Sequence, residues 1–154
     1  MKISLATDAH IPEIIELWKE FIDFHKNIDP HFTRSPDGHL HFEKLVKDLI
    51  KAEDSLVLVA IEKGQIVAYS ISKIGEYPPV FGHLRYGNIT DLAVKTDYQR
   101  KGIGGKMLRR IFKWFESHNI NRIELRVASG NQIGDSFWRK HGFKEFISLM
   151  YLNR

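Results

Sequence analysis

A basic, glycine-rich turn lies between an apolar strand pattern and an amphipathic helix pattern in the second half of the chain. The strand pattern ends at Asp91-Leu92-Ala93-Val94, and the turn runs Gln99-Arg100-Lys101-Gly102-Ile103-Gly104-Gly105. Glycines let backbone N–H groups approach an anion closely, and a helix start leaves N–H groups unpaired and carries a partial positive charge. The segment therefore predicts a strand–turn–helix junction that binds a phosphate or pyrophosphate.

The charge of the chain supports a local anion site rather than an extended basic surface. Of 23 Lys and Arg residues, seven lie between Lys95 and Lys113, where Asp97 is the only acid. That window has a net charge of +6, which leaves −2 for the rest of a chain whose total is +4. A nucleic-acid-binding module remains an alternative, but the basic segment lacks the interleaved aromatics expected of one. We therefore expect no nucleic-acid partner, and we interpret Arg109, Arg110 and Lys113 as a solvated helix face.

Apolar periodicity along the rest of the chain predicts one mixed α/β domain over residues 1–154, with alternating strands and helices. The predicted strands are 2–6, 56–62, 66–74, 84–94, 123–127 and 144–152. The predicted helices run from residue 7 or 8 to about 25, from 40 to 50, from just after the turn to about 115, and from 131 to 141. The strands of the first half are expected to be antiparallel, and the strand–helix–strand unit from 87 to 127 is expected to be a parallel, right-handed crossover.

Composition also excludes several classes of protein. The chain has no Cys, which rules out a disulfide framework, a thiolate zinc site and a cysteine nucleophile, and is compatible with a reducing cytoplasm. Its longest purely apolar run is 56–61, far too short to span a membrane. Its eight His include four within residues 25–41, but no His-Glu-x-x-His motif supports a metal site. We expect a cytoplasmic protein with no membrane partner and no metal.

Two motifs in order give the chain a family resemblance. The first is the strand Asp91–Val94 followed by Gln99-Arg100-Lys101-Gly102-Ile103-Gly104. The second is residues 131–143, which match Asn-x-x-Ala-x-x-Phe-Tyr-x-x-x-Gly-Phe except that Gly134 replaces Ala and Trp138 replaces Tyr. In both motifs the chain resembles the GNAT superfamily of N-acetyltransferases. The resemblance implies a central, mostly antiparallel twisted sheet with a parallel strand–helix–strand core and flanking helices.

The resemblance also implies a co-substrate and a reaction. The turn would hold the pyrophosphate of acetyl-coenzyme A, and the backbone of Leu92 to Val94 would lie along its pantetheine and carbonyl. A primary amine of an acceptor, a small molecule or a peptide, would then attack the thioester directly while both substrates are bound. The residues placed at the coenzyme are Leu92, Ala93, Val94, Gln99, Arg100, Lys101, Gly102, Ile103, Gly104, Gly105, Lys106, Asn131 and Trp138.

The resemblance does not assign every catalytic role, because Trp138 occupies the position where the family often has a tyrosine that acts as general acid. An indole N–H is not an acid at physiological pH, so Tyr151 is a substitute by residue type, with a half-buried strand tyrosine as the alternative. Asp91 is the candidate base, or else a structural carboxylate that orients a loop. Asn131 is either a coenzyme contact or a helix N-cap. The missing tyrosine also motivates a second hypothesis, a non-catalytic acyl-coenzyme A-binding module.

For the acceptor pocket and the oligomeric state, the sequence offers only the positions of candidate residues along the chain. The histidines between the first two helices, His25, His31, His39 and His41, are one candidate wall of the acceptor pocket, and the loop 77–86 is another. Eleven residues follow Phe143, which is short for the family's usual closing pair of strands. We therefore expect a homodimer in which a partner chain completes the sheet, with a sheet that ends one strand early as the alternative.

Overall fold

The apolar strand patterns form one five-stranded sheet in the computed structural model, which describes residues 1–154. The strands lie in the order β1-β2-β3-β4-β5. They are β1 (Lys2–Leu5), β2 (Ser55–Glu62), β3 (Gln65–Glu76), β4 (Arg85–Val94) and β5 (Ile123–Leu125). The first three neighbouring pairs are antiparallel, and β4 and β5 are parallel. The predicted mixed fold, with a mostly antiparallel sheet and one parallel crossover, is confirmed.

Four helices flank this sheet, and none of them is both long and apolar enough to cross a membrane. They are α1 (Ile11–Ile28), α2 (Gly38–Lys51), α3 (Ile103–Ser117) and α4 (Gln132–Lys140). Short 3₁₀ turns occupy Asp8–His10, Pro30–Phe32 and Thr96–Tyr98. The helix α3 begins at Ile103, so residues 103–105, which the sequence predicts as the end of the turn, already belong to the helix.

The two faces of the sheet carry separate cores because side chains alternate along each strand. One core packs α1 and α2 against Tyr69, Ile71 and Ala93. The other packs α3 against Ala68 and Ile89, with α4 at its margin. The β-strands thus divide the molecule into an α1–α2 side and an α3–α4 side.

Close packing of α3 on the sheet depends on Gly87 of β4. A Cβ atom at this position would lie 2.6–2.8 Å from ring carbons of Phe115, which is completely buried in α3. Gly87→Ala is expected to lower the free energy of unfolding by about 1–3 kcal/mol, because the overpacked ring must move. Urea unfolding measures this, with Gly82→Ala as the control, since a Cβ there meets nothing within 4 Å. An equal, small effect of both substitutions would contradict the predicted clash.

The predicted last strand, 144–152, is wrong, because residues 143–154 form no regular structure. Six large apolar side chains of this stretch, Phe146, Ile147, Leu149, Met150, Tyr151 and Leu152, are 69–88% exposed. A strand needs a neighbouring strand for its backbone hydrogen bonds. Apolar patterning indicates a segment that can be buried, but it does not supply the neighbour. The predicted strand 123–127 is also too long, since β5 ends at Leu125.

Candidate active site

The strand β4 presents different side chains to the two sides of the sheet. Ala93 lies in the core on the α1–α2 side, whereas Leu92 and Val94 pack on the α3 side. Asp91 lies on the α1–α2 side with Ala93, because its carboxylate accepts a hydrogen bond from the hydroxyl of Tyr69, with an O–O distance of 2.8 Å. The predicted alternation of Asp91 and Ala93 against Leu92 is confirmed.

Asp91 and Tyr69 form a polar pair, and only Asp91 is partly exposed to solvent. Tyr69 is completely buried, while Asp91 is half-buried. Burial raises the pKa of Asp91 above the ordinary value of 3.8, although the hydrogen bond from Tyr69 and the charge of His25 act in the opposite direction. Burial and the nearby carboxylate raise the pKa of the Tyr69 hydroxyl well above 10.0. Asp91 is therefore a stronger base than an exposed aspartate.

An opening in the sheet lies beside this part of β4. The strand pairs with β5 only from Gly87 to Ile89. Beyond Ile89 the register against β3 shifts between Ile71 and Ser72, so that Thr90 is an extra residue whose hydroxyl donates to the Ile71 carbonyl at 3.2 Å. Such a bulge increases the local twist of a strand. On the β5 side, residues 90–94 of β4 therefore have no neighbouring strand, and this side is here called the free edge of β4.

The glycine-rich turn follows at the end of this free edge. The side-chain amide of Gln99 donates to the Val94 carbonyl at 3.1 Å and connects the turn to the strand. Arg100 and Gly102 have positive φ angles, 60° and 79°. Gly102 is the N-cap of α3, no side chain caps the helix, and no acid lies in its first turn. Left-handed residues before an uncapped helix start are typical of backbone turns whose free N–H groups bind an anion.

The basic side chains of the turn are open to solvent. Arg100, Lys101 and Lys106 are exposed, and the Lys101 ammonium lies 4.9 Å from the ring centre of Tyr98. Farther along α3, Arg109, Arg110 and Lys113 are also exposed, in agreement with a solvated helix face. With Lys106, Met1 and Ile3 they line an open groove of about 360 Å³, which is separate from the free edge of β4.

The glycines of the turn have different structural roles. A Cβ at Gly102 would meet nothing within 4 Å, so the space above this residue is open to a ligand. A Cβ at Gly104 would lie 3.1 Å from the ring of Phe137 in α4, and one at Gly105 would lie 3.4 Å from His141. Gly104 and Gly105 thus let α3 pack against α4, whereas Gly102 provides the left-handed backbone.

The helix α4 is held at its start by Asn131, which is only 9% exposed. Its side-chain oxygen accepts the backbone N–H of Gly134 at 2.9 Å, so Asn131 is an N-cap. A Cβ at Gly134 would lie 2.6 Å from the Asn131 amide nitrogen. Glycine is therefore required at 134 while Asn131 keeps this orientation, which explains the departure from alanine at that position.

These features lie within a match to a known protein family. The model of the acetyltransferase (GNAT) family matches residues 14–143. This chain is a member of the GNAT family. The match includes the free edge of β4, the turn and α4, and it confirms the resemblance that the two motifs predicted.

Two curated relatives are N-alpha-acetyltransferases. The N-alpha-acetyltransferase daf-31 of Caenorhabditis elegans is 35% identical over 71 residues, which are 46% of this chain and 37% of that protein. An N-alpha-acetyltransferase of Sulfurisphaera tokodaii is 26% identical over 110 residues, which are 66% of this chain and 64% of that protein. The matches thus span less than two thirds of the length of either relative.

A solved structure agrees with the whole fold of this GNAT chain. The BH1408 protein of Bacillus halodurans, crystallised as a tetramutant, has a TM-score of 0.91 and 25% identity, and the alignment covers 100% of both chains. The sheet order and the flanking helices of the GNAT chain are therefore those of an experimentally observed fold.

Trp138, at the family's tyrosine position, and Tyr151, the substitute considered for it, belong to other parts of this GNAT chain than the pair of Asp91 and Tyr69. Trp138 is half-buried in an aromatic group, with ring-centre distances of 4.9 Å to Phe137 and 5.3 Å to Phe143. Tyr151 is 80% exposed and lies in the irregular stretch that we had predicted as a strand. Neither side chain forms a hydrogen bond with Asp91 or Tyr69.

Sequence reasoning missed Tyr69 as a partner of Asp91 and did not single out His25 among the four histidines. His25 is half-buried, its Nδ1 lies 2.8 Å from the Phe21 carbonyl, and its ring contacts Phe21, Phe24 and Phe32 edge-on. By contrast, His41 pairs with Asp37 at 3.0 Å on the surface. No group of three or more His, Asp or Glu side chains is arranged to hold a metal ion.

Proposed function

We propose that this chain is an N-acetyltransferase that transfers the acetyl group of acetyl-coenzyme A to a primary amine by direct attack in a ternary complex. The observation that carries the proposal is the continuity of three features along one stretch of chain. The first feature is the carboxylate of Asp91, whose pKa is raised. The second is the backbone of residues 92–94, which does not pair with β5. The third is the uncapped start of α3. Base, acyl site and anion site thus follow one another over about a dozen residues.

The anion site fits the pyrophosphate of the coenzyme. The N–H groups at the start of α3 and the left-handed Gly102 supply donors, and Arg100, Lys101 and Lys106 supply positive charge. Gln99 and Ile103 hold the turn between β4 and the α3-side core. Asn131 and Trp138 stay in the proposed coenzyme site as residues that shape its α4 wall rather than as free ligands, because the Asn131 oxygen already caps α4.

The edge of β4 would position the acyl group. A bound pantetheine arm would take the place of the missing neighbouring strand along 92–94, since an unpaired strand edge offers alternating N–H and C=O groups. A backbone N–H aimed at the thioester carbonyl would stabilise negative charge that develops mainly in the transition state. Only backbone groups are needed, so Leu92, Ala93 and Val94 can serve the cores with their side chains at the same time.

Asp91 would accept the proton of the amine. In the proposed step the amine nitrogen forms a bond to the acyl carbon, the carbon–sulfur bond breaks, and the amine proton passes to Asp91. The departing thiolate takes a proton from solvent or from an acid. Tyr151 stays a proposed acid, and Tyr151→Phe tests that role. Since a thiol of the cysteine type has a pKa of about 8.5, solvent alone can complete the step near neutral pH.

For the acceptor we propose an α-amine at the N-terminus of a peptide. The names of the two curated relatives support this class. So does the chemistry, because an α-amine has a pKa of about 8 against about 10.4 for lysine and needs a weaker base. The peptide would approach from the α1–α2 side. Asp91 is partly exposed on this side, and His25 lies there among Phe21, Phe24 and Phe32.

Titration calorimetry and a thiol-release assay test the proposal together. We expect acetyl-coenzyme A to bind in the micromolar range, and free thiol to be released with peptides that have a free N-terminus. The matched control is the same peptide with a blocked N-terminus and an internal lysine. Small polyamines and an aminoglycoside complete the panel. Binding with no turnover on any amine would overturn the enzymatic proposal in favour of a coenzyme-binding module, and no binding at millimolar ligand would overturn both.

A further inference from the structure

The outer edge of β1 has unpaired backbone groups. β1 is the first strand in the sheet order and pairs only with β2. Just beyond its end, the Ala6 N–H donates to the Val57 carbonyl at 2.9 Å. Because hydrogen-bonded and non-hydrogen-bonded pairs alternate along an antiparallel ladder, Ile3 and Leu5 direct their N–H and C=O groups away from β2. Such an edge can pair with another extended chain.

A basic groove lies between this edge and α3, and it is here called the β1–α3 groove. Its volume is about 360 Å³, and its lining consists of Met1, Ile3, Lys106, Arg109, Arg110 and Lys113. None of the four basic side chains forms an ion pair with a carboxylate. The Arg110 guanidinium donates to the Ile3 carbonyl at 3.3 Å. The basic flank of α3 is therefore directly beside the outward-facing backbone of β1.

The charges of the groove favour an acidic occupant. Positions 106, 109, 110 and 113 are three or four residues apart, so each cation has like-charged neighbours on one flank of α3. Like charges at this spacing destabilise a helix, and no acidic side chain lines the groove to offset their repulsion. A bound carboxylate would offset it, whereas a basic segment would be repelled.

We propose that the β1–α3 groove binds an extended acidic segment of a partner protein, which adds to the outer edge of β1 as a further strand. A phosphate compound would use only the cations, whereas a peptide would also pair with the outward backbone groups of Ile3 and Leu5. The Ile3 carbonyl can accept a second hydrogen bond beside that from Arg110, since its oxygen has two lone pairs. This inference is independent of the proposed function, because β1 lies three strands from β4, about 14 Å across the sheet.

The spacing of side chains on such a strand matches the spacing of the cations. Every second side chain of the added strand would face α3, as Ile3 does, at intervals of about 7 Å. Lys106 and Arg110 are four residues apart, which is about 6 Å along a helix. Alternate acidic residues would therefore lie opposite successive cations of α3.

Fluorescence anisotropy with a designed probe tests the proposal. The probe is an N-acetylated peptide of alternating Val and Glu with a fluorescein at its C-terminus, about eight residues long to match an ordinary strand. Its blocked N-terminus removes the amine that the proposed reaction would use. We expect binding in the micromolar range that weakens as salt is added. A peptide with the same Val and Glu residues in two blocks has the same charge without the alternation, and it should bind at least about 10-fold more weakly.

Two pairs of matched variants separate the backbone edge from the charge. Leu5→Pro removes an outward N–H and leaves the ladder with β2 intact, so the affinity for the probe should fall at least about 5-fold. Leu5→Val keeps that N–H and is the control. Arg109→Glu combined with Lys113→Glu should weaken binding at least about 10-fold. Lys44→Glu combined with Lys51→Glu makes the same change of net charge at exposed positions of α2 and should have little effect.

Amide exchange measured by NMR gives a structural readout. The Ile3 and Leu5 amides should exchange rapidly in the free chain and slowly with the probe, while the Ser4 amide, which faces β2, should be protected in both. A protected Ser4 amide in Leu5→Pro would show that this variant is folded. Equal losses in the two double Glu variants, unchanged binding by Leu5→Pro, tighter binding of a single-stranded RNA of equal charge, or no binding of the probe at millimolar concentration would each overturn the added strand, whatever the enzymatic assays show.

Discussion

Replacing Asp91 with Asn is expected to lower kcat by about 10²–10⁴-fold, because this is the usual contribution of a positioned general base. The asparagine would keep the shape of the side chain, and its amide oxygen could still accept the hydrogen bond that Tyr69 donates over 2.8 Å. Steady-state thiol release with a free-amine peptide measures the effect. The affinity for acetyl-coenzyme A should stay within a few-fold of the wild type, since Asp91 lies before the acyl and anion sites.

The stability of the same variant separates a base from a structural carboxylate. Burial raises the pKa of Asp91 in the folded chain. A carboxyl with a raised folded-state pKa favours folding below its unfolded pKa, and that contribution is lost as the pH rises through the folded pKa. Near neutral pH the ionised carboxylate is therefore unfavourable to the fold, and Asp91→Asn should have an unchanged or higher Tm. A clear fall in Tm with little change in kcat would support the structural role instead.

Tyr69→Phe provides the pH test for the same pair. The hydrogen bond from Tyr69 lowers the pKa of Asp91, so its removal raises that pKa further. Because a base acts only when deprotonated, the acidic limb of the pH–rate profile should shift to higher pH in Tyr69→Phe. The ring is retained in a completely buried site, so that most of the packing is preserved. An unshifted profile would show that Asp91 is not the group that titrates.

Gly102→Val is expected to weaken acetyl-coenzyme A binding by about 100-fold. Valine would enter the open space above the turn and would resist the positive φ of 79°. The loss corresponds to one or two charge-assisted hydrogen bonds, each of which contributes about 1.5–3 kcal/mol. Titration calorimetry at fixed ionic strength measures the change.

Two other glycines control for backbone strain and packing. Gly64, in the hairpin between β2 and β3, has a φ of 78°, and a Cβ at this position would meet no atom within 4 Å, so Gly64→Val imposes the same strain away from the site. It should reduce stability without changing the affinity for the coenzyme. Gly104→Ala tests packing, since its Cβ would press on Phe137. Equal loss of affinity in Gly64→Val and Gly102→Val would contradict a pyrophosphate site at the turn.

Much of the fold followed from local patterns in the sequence. The hairpin of β2 and β3, the amphipathic α1 and α3, and the alternation of Asp91, Leu92 and Ala93 are all set by apolar spacing of two or of three to four residues. Such spacing depends only on chain geometry, so it can be read without knowing the neighbours. The end of β5 at Leu125 and the irregular stretch after Phe143 could not be read, because both depend on which edge is available for pairing.

The contiguous residues of the candidate site were predicted from the sequence, whereas the residues that join it from distant parts of the chain were missed. The turn from Gln99 to Gly105 was recognisable because its chemistry is local: glycines, positive charge and a helix start are contiguous. Tyr69 is 22 residues from Asp91, and only the register of β3 against β4 brings them together. His25 comes from α1, whose position over β4 depends on how the core on the α1–α2 side packs.

The sequence by itself thus determined the family, the order of the four helices and of the first five strands, and the glycine-rich turn before α3, because each rests on residues that are neighbours in the chain. Only the tertiary structure decided that Asp91 has a buried hydroxyl as partner, that Gly134 makes room for the Asn131 cap, and that residues 146–152 stay unpaired beside β5. These depend on distances between segments far apart in the sequence, where side-chain volume and strand register, rather than local spacing, determine which groups meet.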